Sequence, residues 1–168
     1  MIVYTGKKIS VRKDEIVLDD GRKAEREVIV HPGSAAIVPF ITEDEILLIQ
    51  QYRHAVKETM YEIPAGTLDA GESFATCAAR ELEEETGYRA GILEPLIILY
   101  PSPGILSETM HLYKATQLTK TQINYQADES IKGLIRIRLS DALEMIKKGE
   151  IRDAKTVCGI LRCLSFKP

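Results

Sequence analysis

The sequence contains few cysteine, histidine and aromatic residues. Of its 168 residues, three are cysteine, three are histidine, none is tryptophan and 6% are aromatic. Cys77, Cys158 and Cys163 are odd in number and lack the spacing of a zinc site, and each falls in a segment that we predict to be helical. We therefore expect buried, reduced thiols and no redox chemistry. The histidines form no pattern of a nucleophile or a metal site, and we expect them in turns or in packing. They are His31, His54 and His111.

Long apolar runs and a strong net charge are also absent. No segment approaches the roughly 20 consecutive apolar residues of a membrane span, and the first residues lack the apolar run of a signal peptide. The net charge is −3, so long-range attraction favours neither nucleic acid nor an anionic membrane as a partner. With 45% apolar residues and no repeat or linker, the chain suits one globular core. We expect a cytoplasmic protein.

Residues 73–87 have the pattern of one amphipathic helix. The run contains neither glycine nor proline before Gly87, and Ser73 is a suitable N-cap. Gly87 suits the left-handed position that ends a helix. At about 3.6 residues per turn, Glu81 and Glu85 continue the apolar stripe that begins at Phe74. Two carboxylates are therefore predicted on a buried face.

Clustered carboxylates on this helix would repel one another. Bringing Glu81, Glu84 and Glu85 together raises the Coulombic repulsion, and partial burial penalises the charged form of each. A divalent cation offsets both effects, and oxygen-only ligation suits magnesium, or alternatively manganese, better than zinc. The alternative is a solvated glutamate-rich helix stabilised by pairs such as Arg80 with Glu84.

The rest of the chain predicts short strands around a central core. Asp20-Gly21 indicates a two-residue hairpin within a small antiparallel sheet at residues 1–31. Loops at 101–108 and 122–130 are candidate binding segments. Strands are predicted at 35–40, 45–50, 96–100, 111–115 and 134–139. Helices are predicted at 140–149, capped by Ser140-Asp141, and at 153–164, capped by Asp153.

The residues flanking the glutamates make the pattern more specific. The stretch reads Gly66, five residues, Glu72, seven residues, then Arg80-Glu81-Leu82-Glu83-Glu84-Glu85-Thr86-Gly87-Tyr88. It resembles the Nudix box, G-x5-E-x7-R-E-U-x-E-E-x-G-U with U an apolar residue, without substitution at a required position. With all the offsets matched, the solvated-helix alternative is strongly disfavoured.

This resemblance implies both a fold and a reaction. The fold is an α/β/α sandwich built on a mixed sheet, and the reaction is hydrolysis of a pyrophosphate that links a nucleoside diphosphate to another moiety. The resemblance assigns metal binding to Glu81, Glu85 and the carbonyl of Ala65. It implies that Glu72 and Arg80 orient the metal-binding cluster.

Further segments resemble the ADP-ribose pyrophosphatase branch of this family. Pro103 lies sixteen residues beyond Gly87 in a Ser-Pro-Gly segment, as in that branch. Other similar segments lie at 26–27, 31–33, 51–54, 61–66 and 149–156. The likeness therefore spans about residues 15–160.

The branch resemblance implies a substrate-binding set. Arg26 and Arg53 are expected to approach the phosphates or the sugar, and Glu108 to approach the terminal ribose. The set is completed by Glu62, Pro103 and Gly104. Arg53 and Glu108 have a simpler alternative, as a surface salt-bridge partner and a plain loop carboxylate.

In the same branch, the N-terminal sheet is exchanged between two subunits. We therefore expect residues 1–33 to form an antiparallel sheet shared within a homodimer and residues 34–168 to form the Nudix domain.

The identity of the general base stays open. Glu84 is a candidate as a further metal ligand or as the base, and a loop acid matching Glu129 closes over the metals in the branch. Some members carry a second acid two residues earlier, where this chain has Ala127. Asp128, Glu129 and Glu84 therefore all remain candidates.

The resulting hypothesis is a metal-dependent hydrolase that converts ADP-ribose to AMP and ribose 5-phosphate. The adenine would stack on Tyr4, Tyr52 or Tyr61, among which the sequence does not choose. One alternative is another nucleotide sugar such as GDP-mannose. Another is a non-catalytic sensor, which the intact metal set disfavours.

Overall fold

The structure is a computed structural model that describes residues 1–6, 9–122 and 131–165. The strands are β1 (Ile2–Thr5), β2 (Ser10–Val17), β3 (Lys23–Val30), β4 (Ser34–Pro39), β5 (Glu45–Arg53), β6 (Glu58–Glu62), β7 (Ala65–Thr67), β8 (Tyr88–Arg89), β9 (Ile92–Leu99), β10 (Met110–Thr116), β11 (Thr119–Lys120) and β12 (Ile131–Arg138). The helices are α1 (Phe74–Thr86), α2 (Leu139–Lys147) and α3 (Ala154–Ser165).

The first three strands form the predicted antiparallel sheet, in the order β1-β2-β3. The predicted two-residue turn is wrong, because the β2–β3 loop is longer. The N–H of Gly21 donates to the carbonyl of Leu18, and the N–H of Leu18 donates to the carbonyl of Arg22. A two-residue type I′ turn needs positive φ at both central residues. Gly21 has a φ of 82°, whereas Asp20 is not among the positive-φ residues of the described chain.

The central sheet is mixed, as predicted, with strand order β7-β4-β10-β9. Strand β4 runs parallel to β10 and antiparallel to β7. Strand β4 is buried along its whole length, and its side chains alternate between two hydrophobic clusters. Ala35 and Ile37 pack with residues of α1, whereas Ala36 and Val38 pack with residues of α2 and α3. Helices therefore cover both faces of this sheet, which confirms the predicted α/β/α sandwich.

A second sheet has the order β12-β5-β6 and is antiparallel. The short strands β6 and β7 carry no clear apolar alternation and were missed by the sequence prediction. The predicted Ser140-Asp141 cap is also wrong. Helix α2 begins at Leu139, and its N-cap residue Arg138 makes no side-chain capping bond. The N–H of Leu139 donates instead to the carbonyl of Asp44 at 2.7 Å, so a tertiary contact sets this end of the helix.

The N-terminal sheet joins the rest of the chain along the loop after β9. The N–H of Ile29 donates to the carbonyl of Ile105 at 2.8 Å, and the N–H of Ser107 donates to the carbonyl of Ile29 at 3.0 Å. Much of the sheet's apolar surface is exposed, including Ile2, Val3, Tyr4 and Val17. Exposed apolar side chains also occur on strand β9 and the following loop, at Ile97, Ile98, Tyr100 and Ile105.

The cysteines differ from one another in burial. Cys77 is buried, Cys163 is half-buried and Cys158 is exposed. Burial as the first cause raises the pKa of Cys77 to about 12 and that of Cys163 to about 11. The prediction of buried thiols is therefore wrong for Cys158, which lies on the outer face of α3. Among the described helices, none combines the length and apolar character that a membrane span requires.

Candidate active site

Helix α1 forms as predicted, and both of its ends are capped. The Ser73 hydroxyl accepts a hydrogen bond from the N–H of Thr76 at 3.1 Å. At the other end, Gly87 has a φ of 70° and donates to the carbonyl of Glu83. On the inner face, Glu81 is 3% exposed and Glu85 is 1% exposed. The burial of both carboxylates confirms the prediction, made from the 3.6-residue period, that Glu81 and Glu85 lie on the buried face of the helix.

Gly66 lies directly against the Glu81 carboxylate. A Cβ added at Gly66 would stand 1.7 Å from Glu81 Oε1 and 2.0 Å from its Cδ. An added Cβ would therefore displace the Glu81 carboxylate, and the glycine of the sequence pattern allows this close approach of backbone to carboxylate. The neighbouring Ala65 donates its N–H to Glu85 Oε2 at 2.9 Å. Strand β7 thus contacts both buried glutamates through its backbone.

Arg80 is the positive charge at the centre of the cluster. Its Nε and Nη2 atoms each lie 2.9 Å from a Glu72 oxygen. Its Nη1 donates to Glu81 Oε1 at 2.6 Å and to Glu84 Oε2 at 3.2 Å, and Nη2 also donates to the carbonyl of Thr67.

These contacts shift the pKa values of both partners. The hydrogen bonds to Glu72 are the first cause that raises the pKa of Arg80 above its ordinary value. The same bonds lower the pKa of Glu72. Arg80 and Glu72 therefore stay charged, and Arg80 links Glu72 to Glu81 and Glu84 through its hydrogen bonds.

The donor chemistry of the cluster fits a hard divalent cation. Glu81, Glu84 and Glu85 offer carboxylate oxygens, and the backbone at residues 65–66 closes the same space. In the ranges that the structure describes, however, no group of three or more His, Cys, Asp or Glu side chains is already arranged to hold a metal ion. Two of these carboxylates, Glu81 and Glu84, instead accept hydrogen bonds from Arg80 Nη1.

A second charged network lies beside this cluster. Arg53 forms a forked pair with Glu62, with distances of 2.8 Å from Nε and 2.6 Å from Nη2. Glu62 is 1% exposed and also accepts from Lys155. Lys155 Nζ lies 3.0 Å from Asp153 Oδ2.

The Glu62 carboxylate is charged despite its burial. Burial acts to raise the pKa of Glu62, but the hydrogen bonds from Arg53 and the charge of Lys155 outweigh it and hold that pKa below its usual value. The pKa of Arg53 is raised, first by its hydrogen bonds to Glu62 and more weakly by charges that include Glu85. The two networks are therefore electrostatic neighbours.

The remaining predicted substrate residues are spread over two elements. Glu108 is mostly buried, accepts a hydrogen bond from the Ser34 hydroxyl and lies 3.9 Å from His31 Nδ1. Arg26 is exposed on β3 and donates to the carbonyl of its neighbour Glu25. Pro103 and Gly104 are exposed in the loop after β9. The hydrogen bonds of Arg26 and Glu108 are thus made to the Glu25 carbonyl and to Ser34. Glu129 and Asp128 lie outside the described residues.

The histidines serve in turns and packing, as predicted. His111 stacks on Phe74 with the ring centroids 3.6 Å apart. His31 Nδ1 accepts a hydrogen bond from the N–H of Gly33 at 3.1 Å. The carbonyl of His54 accepts from the N–H of Lys57 in an exposed turn.

A groove with a volume of ≈ 900 Å³ runs beside the outer edge of α1. It is lined by Arg80, Glu83, Glu84, Arg89, Lys120, Thr121 and Gln122. Its size is within the range of small-molecule sites, about 300–1,000 Å³. Arg80 and Glu84 line this groove, and Arg80 also donates to the buried Glu81.

Comparison with known proteins shows the family of this chain. The family model described as NUDIX domain matches residues 30–159. The chain belongs to the Nudix hydrolase family. The match contains all of the glutamates of α1 and the backbone at residues 65–66. A solved structure described as "Crystal structure of ADP compounds hydrolase" superposes on this Nudix hydrolase with a TM-score of 0.86. That structure has 23% sequence identity and covers 99% of this chain and 90% of its own, which shows the shared fold.

Curated relatives of this Nudix hydrolase carry several different names. A "Methanol dehydrogenase activator" of Bacillus methanolicus is 38% identical, over 94% of this chain and 86% of that protein. An "ADP-ribose pyrophosphatase" of Bacillus subtilis (strain 168) is 35% identical over the same shares of both chains. A "GDP-mannose pyrophosphatase" of Escherichia coli (strain K12) is 36% identical, over 87% of this chain and 78% of that protein.

Sequence reasoning missed two parts of the site. It assigned no role to Lys155 or Thr156, although both lie in the segment at 149–156 that it marked as similar to the branch. It also did not anticipate that the carbonyl of Thr67 accepts from Arg80. The signal that could have indicated a role for Lys155 was its position on the buried side of the helix predicted at 153–164.

Proposed function

We propose that this Nudix hydrolase cleaves the pyrophosphate bond of ADP-ribose to give AMP and ribose 5-phosphate. The observation that carries the proposal is the meeting of two charged networks. Buried Glu81 and Glu85 lie against the backbone of β7, and the charge of Glu85 also acts on the partly exposed Arg53. A diphosphate needs both a cation site and a fixed guanidinium, and this region of the chain offers both.

Glu81, Glu85, Glu84 and the carbonyl of Ala65 would hold magnesium, or alternatively manganese. When bound, the cation would neutralise charge on the diphosphate and make the attacking water more acidic. Arg80, anchored by Glu72, orients Glu81 and Glu84 through its Nη1 atom. Loss of the hydrogen bonds from Arg80 would misplace Glu81 and Glu84 while both carboxylates remained in the protein.

Substrate positioning falls to the arginines. Arg53 is 41% exposed along its side chain while its partner Glu62 is 1% exposed. We therefore assign the contact with phosphate to Arg53, and we assign Glu62 to holding Arg53. Of the three candidate bases, Glu84 is the one within the described residues, and it is partly exposed at the groove.

A second substrate class is favoured by one specific observation. The relative named GDP-mannose pyrophosphatase shares 36% identity with this chain, close to the 35% of the relative named ADP-ribose pyrophosphatase. The Nudix chemistry would be the same, and only the base and the sugar would differ. The reading as a non-catalytic sensor has less support, because all of the acids of the pattern are present.

We further propose that the protein is a homodimer that shares its N-terminal sheet. The support is the exposed apolar surface of β1 and β2 together with that of β9 and its following loop. Exposed apolar surface, where it forms a large contiguous patch, marks interaction sites. Such an exchange would bring Arg26 of one subunit towards the site of the other.

The deciding experiment is a magnesium-dependent assay of purified protein against several substrates. ADP-ribose, GDP-mannose, NADH, diadenosine polyphosphates and coenzyme A are incubated separately, and the products are separated by chromatography. We expect the highest kcat/KM for ADP-ribose, with AMP and ribose 5-phosphate as products. A tenfold preference for another substrate would refute ADP-ribose as the substrate and leave the hydrolytic site standing.

A further inference from the structure

Lys155 is a buried cation that the proposed chemistry does not use. It is 9% exposed, whereas lysine is almost never fully buried unless it is paired. Its ammonium group donates to Glu62 and lies 3.0 Å from Asp153 Oδ2. Burying a charge is costly unless its geometry and partners compensate. The lysine is therefore confined to one position between two carboxylates.

The same Glu62 carboxylate holds Arg53. Oε1 accepts from Arg53 Nε, and Oε2 accepts from both Arg53 Nη2 and Lys155. The fork uses Nε and Nη2, so the outer Nη1 edge takes no part in it. Because Glu62 is 1% exposed, water cannot replace a donor that is lost from it. The direction in which Arg53 points is therefore linked to the presence of Lys155.

The start of α3 also holds the chain that follows Glu62. The Thr156 hydroxyl accepts from the N–H of Ile63 at 2.9 Å and donates to Asp153 at 2.6 Å. Two residues further on, the N–H of Ala65 donates to Glu85. The segment 62–65 is thus attached to α3 at one end and to α1 at the other.

We propose that Lys155 is a positioning residue that acts through Glu62 to hold the Arg53 guanidinium at the substrate site. The identity of the group that Arg53 binds, a diphosphate or its attached sugar, rests on the proposed function. Lys155 itself lies behind Glu62 and meets two protein carboxylates. Its effect on the reaction is therefore exerted through Arg53.

The first test separates substrate binding from turnover. In Lys155→Met we expect KM for ADP-ribose to rise about tenfold while kcat changes little, since Arg53 contributes binding in both ground and transition states. Lys155→Arg should restore part of the loss. The matched control is Lys147→Met, which removes an exposed ion pair with Glu144 of 2.7 Å on α2 and should leave KM unchanged.

A double variant tests whether the effect passes through Arg53. When Arg53 is already alanine, Lys155→Met should produce no further rise in KM, because coupled residues are not additive. Additive changes, or an unchanged KM in Lys155→Met alone, would overturn the inference. If Lys155→Met does not fold, Glu62→Gln takes its place and must show the same dependence on Arg53.

A second measurement does not depend on turnover. Phenylglyoxal modifies accessible arginines, and peptide mass spectrometry gives the rate at Arg53. We expect this rate to rise several-fold in Lys155→Met and in Glu62→Gln, and to stay at the wild-type value in Lys147→Met. Failure of the wild-type protein to hydrolyse any nucleotide sugar would refute the proposed function, while the labelling still decides the positioning. Equal labelling rates in all variants would refute the positioning.

Discussion

Gly66→Ala is expected to damage the site by displacing one carboxylate. The added Cβ would stand 1.7 Å from Glu81 Oε1, whereas ordinary van der Waals contact begins at 3.4 Å. Either the carboxylate or strand β7 must therefore move by the difference, about 1.7 Å. A shift of the carboxylate away from β7 also perturbs its 2.6 Å hydrogen bond from Arg80.

The two consequences have different magnitudes. Misplacement of a catalytic group by about 1 Å can lower the rate about a hundredfold, whereas overpacking typically costs about 1–3 kcal/mol of folding free energy. For a chain of this length, each 1 kcal/mol lowers Tm by about 2–4 °C. We therefore expect a folded protein whose Tm falls by several degrees and whose kcat falls about a hundredfold.

The assay compares kcat for ADP-ribose at saturating magnesium with Tm from circular dichroism. The matched control is Gly133→Ala in β12, where the added Cβ would meet only the tip of the Gln50 side chain at 3.3 Å. That variant should keep kcat. A Gly66→Ala protein with kcat within threefold of the wild type would refute the reasoning, because it would mean that the position of Glu81 does not limit turnover.

Three other predictions follow from the same structure. Glu85→Gln should lower turnover about a hundredfold or more. Glu83→Gln removes only a half-exposed ion pair with the exposed Arg89 and should hardly change turnover. Equal losses of turnover in steady-state assays of the two variants would contradict the metal assignment. Deletion of residues 1–31 should abolish both dimer formation and activity, and light scattering that finds an active monomer of the intact chain would argue against the shared sheet. Iodoacetamide at pH 8 should modify Cys158 quickly and Cys77 hardly at all, because burial raises the pKa of Cys77 to about 12; mass spectrometry of the native protein that finds Cys77 labelled first would contradict this burial.

Helix α1 was predictable because its signals are local. The N-cap at Ser73, the left-handed residue at Gly87 and the 3.6-residue period each depend on residues within a few turns of one another. The spacing of the glutamates therefore determined which carboxylates would share one face. The resemblance marked Gly66 as part of the pattern. The physical reason for a glycine there became visible only in the structure, where the Glu81 carboxylate lies against it.

Elements whose boundaries depend on tertiary contacts were predicted less well. Helix α2 begins where Leu139 donates to Asp44, a residue far away in the chain, so the nearby Ser140 misled the prediction. Strand β4 is apolar at nearly every position, and its alternation between two cores became visible only when helices were placed on both faces. A continuous apolar run predicts burial but does not say which side chain faces which layer.

The sequence by itself determined the helix, the acids that it carries and the family pattern around them, because those features arise from residues close together along the chain. The tertiary structure alone decided that Glu62 would be buried between Arg53 and Lys155. Glu62 and Lys155 are 93 residues apart, and their contact exists only because α3 packs beside the end of β6. The cost of leaving a buried carboxylate without partners makes such a contact necessary once the layers assemble, and no local pattern encodes which distant cation will supply it.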